Sequence, residues 1–106
     1  MISDQQLADF CAAVDAMRAP YFEALNAKWD EYGLGRYALP LSFSRGPKYA
    51  RIINIDGGQK SVFCFVRLDD GAVMKADGWA KPAKRPRGNN ANGAADVEIH
   101  GARYAR

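Results

Sequence analysis

The chain has one histidine and two cysteines, and that scarcity excludes much chemistry before any motif is sought. A four-ligand zinc site cannot be built from three such residues. The lone His100 ends the run Val97-Glu98-Ile99-His100 with no nucleophile beside it, so a catalytic triad has no visible basis. Cys11 and Cys64 each lie inside an apolar pattern and read as buried free thiols in a reducing compartment. No apolar run approaches the roughly 18 residues of a membrane span. The first ten residues carry Asp4 and Asp9 where a secretory leader needs a basic region. These absences lead us to expect a cytoplasmic protein that is not an enzyme and needs no metal, cofactor or membrane.

Adjacent carboxylates occur at Asp30-Glu31 and Asp69-Asp70. The first pair closes a helical pattern, and the second sits in a tight turn where Asp is favoured. Acid–base work needs facing carboxylates with separated pKa values, and adjacency does not provide that. Gly33-Leu34-Gly35 lacks the preceding strand of a dinucleotide fingerprint and reads as a helix stop.

With 106 residues, 48% of them hydrophobic and 25% charged, the chain has the size and balance of one globular domain. Its charge is divided unevenly. Residues 1–32 hold six acids against two bases, whereas residues 33–106 hold thirteen bases against six acids. Such asymmetry suggests one acidic and one basic face, which bears on partners rather than on fold.

Ser3 followed by Gln6 forms a capping-box signature. Apolar residues then recur at helical spacing through Leu7, Phe10, Cys11, Val14, Met17, Tyr21, Leu25, Trp29 and Tyr32. Pro20 interrupts the stripe without shifting its phase, which predicts one kinked helix or two helices meeting near Ala19. After Gly35 the period falls to two, with strands expected near 37–44, 48–55, 61–68 and 72–76. Pro40 assigns the first strand to a sheet edge. Asp56-Gly57-Gly58-Gln59-Lys60 and Asp70-Gly71 supply the turns. The expected fold is α+β: a long N-terminal helix over 1–32, packed on a four-stranded antiparallel meander over 36–77. Residues 78–106, rich in Pro, Gly and Asn, read as a basic loop and tail, with Val97 to His100 as a candidate last short strand.

The segment from Lys75 to Asn89 carries the strongest functional signal. Lys81, Lys84, Arg85 and Arg87 follow Trp79 with no acid among them, and Pro82 and Pro86 hold the backbone extended. A basic ribbon beside an exposed aromatic suits single-stranded nucleic acid, with phosphates on the bases and a nucleobase on the ring. The candidate binding residues are therefore Lys75, Trp79, Lys81, Lys84, Arg85, Arg87 and Asn89. The alternative is a solvated basic loop whose Trp79 packs back on the sheet.

The same stretch resembles a signature of short uncharacterised proteins of tailed bacteriophages: Gly71, Lys75, Trp79, Pro82-Ala83-Lys84 and Arg87-Gly88-Asn89. Tyr49-x-Arg51-Ile52 and Ser61-Val62-Phe63-Cys64-Phe65 resemble two strands of that family, so the likeness spans residues 47–89. It departs at Ala80, where the family commonly has Lys, and at Asn90, where it commonly has Ile. The resemblance implies a phage or prophage origin, a bacterial host cytoplasm and a binding role. The partner expected is nucleic acid or another anionic surface; the alternative is a host defence or transcription factor that the protein inhibits by direct contact.

Overall fold

In a computed structural model, the structure describes residues 1–31, 40–56, 59–94, 97–98 and 101–102. Within these elements the side chains of Asn26, Trp29–Glu31, Asp56, Arg85, Arg87, Asn92, Glu98 and Ala102 lie outside the description. Helix α1 spans Asp4–Glu31 and contains Pro20. It is a single helix, so the two-helix option does not apply. Its N-terminus is closed by the capping box in both directions. Ser3 N–H donates to Gln6 Oε1 at 2.7 Å, and Gln6 N–H donates to Ser3 Oγ at 3.2 Å, which satisfies two helix-end donors reciprocally.

Five strands follow among the described residues in a sheet of order β1-β2-β3-β4-β5: β1 Ser42–Arg45, β2 Tyr49–Asp56, β3 Gln59–Arg67, β4 Ala72–Gly78 and β5 Lys81–Asn89. All pairs are antiparallel. A short pair, β6 Val97–Glu98 and β7 Gly101–Ala102, stands apart as a second sheet. The α+β meander therefore has one more strand than periodicity indicates. Lys81–Asn89, expected to be loop, is β5. Prolines signal a loop because they lack an N–H, yet β5 is the last strand of the sheet and one of its edges needs no ladder partner. Pro82 and Pro86 pair with Ala76 and Met74, and the register shifts at three points along this hairpin. β1 begins at Ser42 rather than near residue 37, and residues 32–39 lie outside the described ones. β1 is an edge strand, as Pro40 suggests.

The helix covers one sheet face. Leu7, Phe10, Cys11 and Val14 are buried against Ala50, Ile52, Cys64, Val66, Leu68 and Val73, each large side chain contributing roughly 1.5–3 kcal/mol by burial. Hydrogen bonds fix the docking angle. Asp15 accepts from the Leu41 N–H at 3.1 Å, and Arg45 reaches both Asp4 at 2.9 Å and the Ile2 carbonyl at 2.7 Å. The stripe leaves the sheet earlier than its phase suggests. Arg18 is buried on it, whereas Tyr21 is exposed. Arg18 donates to Asn54 Oδ1 at 2.7 Å, and its guanidinium lies over the Phe22 and Phe63 rings. The two ring faces and the amide oxygen offset part of the cost of burying the cation.

A bulge in β3 organises the other contacts. Ile52 pairs with Cys64 but Ile53 with Val62, so Phe63 is the extra residue and joins Cys64 on the helix-facing side. The opposite sheet face carries a smaller cluster of Phe65, Ala72 and Met74, flanked by Tyr49, Val62 and Ala76. Tyr49 and Phe65 meet edge to face at 6.2 Å.

Candidate functional site

Seven candidate residues, Lys75 to Asn89, fall on one hairpin, β4–β5. Its base is locked. Gly71 adopts φ +77°, a conformation glycine reaches without strain. Its carbonyl accepts from Asn90 N–H at 2.8 Å, and Asn89 Nδ2 donates to the Asp70 carbonyl at 2.8 Å. Asn89 Oδ1 also accepts from Ala91 N–H at 2.9 Å and so caps the 3-10 turn Asn90–Asn92. Asn89 thus has both ends of its amide engaged in holding the hairpin. On the same turn Arg67 grips Asp70 through two bonds, at 2.9 and 2.7 Å. That pairing, then the Ala72 N–H, holds the Asp70 carboxyl down at about 2.

Burial falls steadily along β4, from Ala72, Val73 and Met74 to half-buried Lys75 and Ala76 and then to exposed Asp77 and Gly78. β3 pairs with β4 only at Phe65–Met74 and Val66–Val73. Beyond Met74 the hairpin leaves β3, and its tip reaches Arg51 of β2, two strands away. Arg51 alternates with the helix-facing Ala50 and Ile52, so the tip bends over the face opposite the helix. Arg51 Nε donates to the Trp79 carbonyl at 2.7 Å, and its guanidinium carbon lies 4.5 Å from the indole centroid. Trp79 nevertheless remains 48% exposed. It rests on the sheet through Arg51 and still presents its ring to solvent.

Lys81 pairs with Gly78 directly beside Trp79; it and Lys84 are exposed. Lys75 is half-buried within β4. The side chains of Arg85 and Arg87 lie outside the described residues, although their backbone belongs to β5. Pattern reading leaves Arg51 out of the site. Its signal is a cation at an outward position between the apolar Tyr49 and Ile53, and only the hairpin's bend gives that cation an aromatic partner.

Elsewhere, a cavity of ≈ 250 Å³ between α1 and the 3-10 turn is lined by Gln6, Asp9, Phe10, Asn90, Ala91 and Gly93. It brings one carboxylate together with two amides. Among the described residues no group of three or more His, Cys, Asp or Glu side chains is placed to hold a metal ion. His100 lies outside them. Among the described residues, no helix is long and apolar enough to cross a membrane.

Residues 4–100 match a family of unknown function, DUF7717. The chain belongs to that family. The DUF7717 match starts at the first residue of α1 and runs through the whole five-stranded sheet. No curated protein and no solved structure matches the chain.

Proposed function

We propose that this chain is a noncatalytic binding protein whose basic β4–β5 hairpin receives nucleic acid or a comparable anionic surface. The observation that carries the reading is the placement of Trp79. A tryptophan is highly buried on average, yet this one is 48% exposed at the tip of an ordered hairpin. Exposed Lys81 and Lys84 follow it on β5. Lysines beside an aromatic on a firm strand can meet phosphates while the ring meets a base. If the tailed-phage resemblance reflects descent, the ligand is met inside an infected bacterial cell.

A second reading, inhibition of a host protein by direct contact, has its own support. From Ala19 to Lys28 no described residue of α1 is buried, and Tyr21 is among the exposed large apolar side chains. A helix that outruns its sheet offers a face to a partner. Equilibrium binding of a labelled single-stranded oligonucleotide, at low and at physiological salt, separates the two. Phosphate binding appears at low salt and weakens steeply as salt rises. Absence of binding at low salt removes the first reading and leaves the second.

A further inference from the structure

We infer that Trp79 is a stacking platform for one unpaired nucleobase, and that Arg51 is the residue that positions it. This rests on the reading that the hairpin binds nucleic acid, and it narrows the ligand to single strands in preference to duplex. The geometry is two-sided. The Arg51 guanidinium lies 4.5 Å from the indole centroid, and its Nε holds the Trp79 carbonyl at 2.7 Å. Ring and peptide are therefore fixed by the same side chain. One face of the indole is backed by Arg51 and the residue is 48% exposed, so the nucleobase is assigned to the face away from Arg51.

A flat, pre-set aromatic surface selects for a flat ligand. Bases inside a duplex are already stacked on their neighbours and offer only their edges, whereas an unpaired base has a π-face available. Fixing the ring beforehand also lowers the ordering cost of binding, because the side chain need not be immobilised by the ligand. Phosphate contacts lie to hand. Lys81 pairs with Gly78 beside the ring, and exposed Lys84 follows on the same strand. Arg51 acts through Trp79 and is a positioning residue, so a change that keeps its charge but loses its planar stack should still weaken stacking.

The test uses the full chain with three probes of equal length: a thymidine oligonucleotide, a wholly abasic oligonucleotide and a duplex. Wild type is expected to bind the thymidine strand more tightly than the abasic strand or the duplex. Trp79→Ala is expected to lose about 5- to 150-fold for the thymidine strand and to bind it no better than the abasic one. Trp79→Phe should retain most of the affinity. Arg51→Lys should weaken binding of the thymidine strand while leaving the abasic strand unchanged, a split that a purely electrostatic role would not produce. Thermal melts confirm that each variant is folded. Equal wild-type affinity for thymidine and abasic strands, or tighter binding of duplex, overturns the stacking inference while leaving the nucleic-acid reading in place. No binding of any probe at low salt overturns both.

Discussion

Gly71 and Asn90 occupy adjoining space so closely that a Cβ on Gly71 fits only if the Asn90 side chain moves. The Gly71 carbonyl accepts from the Asn90 N–H at 2.8 Å, and a Cβ on Gly71 would run into Asn90 Oδ1. Gly71 also sits at φ +77°. Gly71→Ala therefore incurs both left-handed strain and a steric clash, together about 2–4 kcal/mol. Urea unfolding of the variant checks this; a loss under about 0.5 kcal/mol would show that the turn relaxes freely.

Asp70 on the same turn gives the protein an acid-sensitive contact. Its folded pKa, about 2, lies below the ordinary carboxylate range because Arg67, then the Ala72 N–H, hold the charged form. A depressed carboxylate stabilises the fold above its unfolded pKa, and that contribution is lost as pH falls through the folded value. The stability difference between wild type and Asp70→Asn should thus be constant above about pH 5 and shrink from there towards pH 2. The pair is solvent-exposed, so added salt should diminish the difference. Denaturant melts at several pH values test it, and a difference that stays constant down to pH 2 would contradict the assignment.

Cys11 and Cys64 stand as buried free thiols. Burial, and then the Asp15 carboxylate, pushes the Cys11 thiol up to about 11; burial, and then Cys11, pushes Cys64 up as well. Thiol reagents should label neither residue quickly in the native protein and both at once in denaturant. Cys64→Ser should destabilise by about 1–3 kcal/mol, since the core offers a hydroxyl little compensation. Rapid native labelling of Cys64 would contradict its placement.

Pro20 is exposed within α1. It removes the donor that would bond the Ala16 carbonyl and crowds that turn. Pro20→Ala is expected to raise stability by about 1–3 kcal/mol in thermal or urea unfolding. A decrease would show that the proline's local distortion is what keeps the first half of the helix seated on the sheet.

The helix, its cap and four strands of the sheet are legible in the sequence because local rules decide them. Ser3 and Gln6 cap each other across three residues, and Ala50 and Ile52 alternate with Tyr49 and Arg51 wherever the strand pairs. What escapes local rules is whatever depends on a partner far along the chain. Arg18 looks misplaced in an apolar stripe until Asn54 and Phe63 are brought to it, 36 and 45 residues away. Pro82 and Pro86 signal a loop locally, and only the position of β5 at the edge of the sheet makes them compatible with a strand. The hairpin was visible as a basic, aromatic segment. Arg51 is not legible as part of it, because its link to Trp79 arises from the bend of β4 away from β3.

The most direct test of nucleic-acid binding by the hairpin is the salt dependence of single-strand affinity in wild type and in a Lys81→Ala, Lys84→Ala double variant. If these two lysines neutralise phosphates, removing both should lower the slope of log affinity against log salt by about 1.4. An unchanged slope, with the variant folded and binding as tightly as wild type at every salt concentration, would contradict the account.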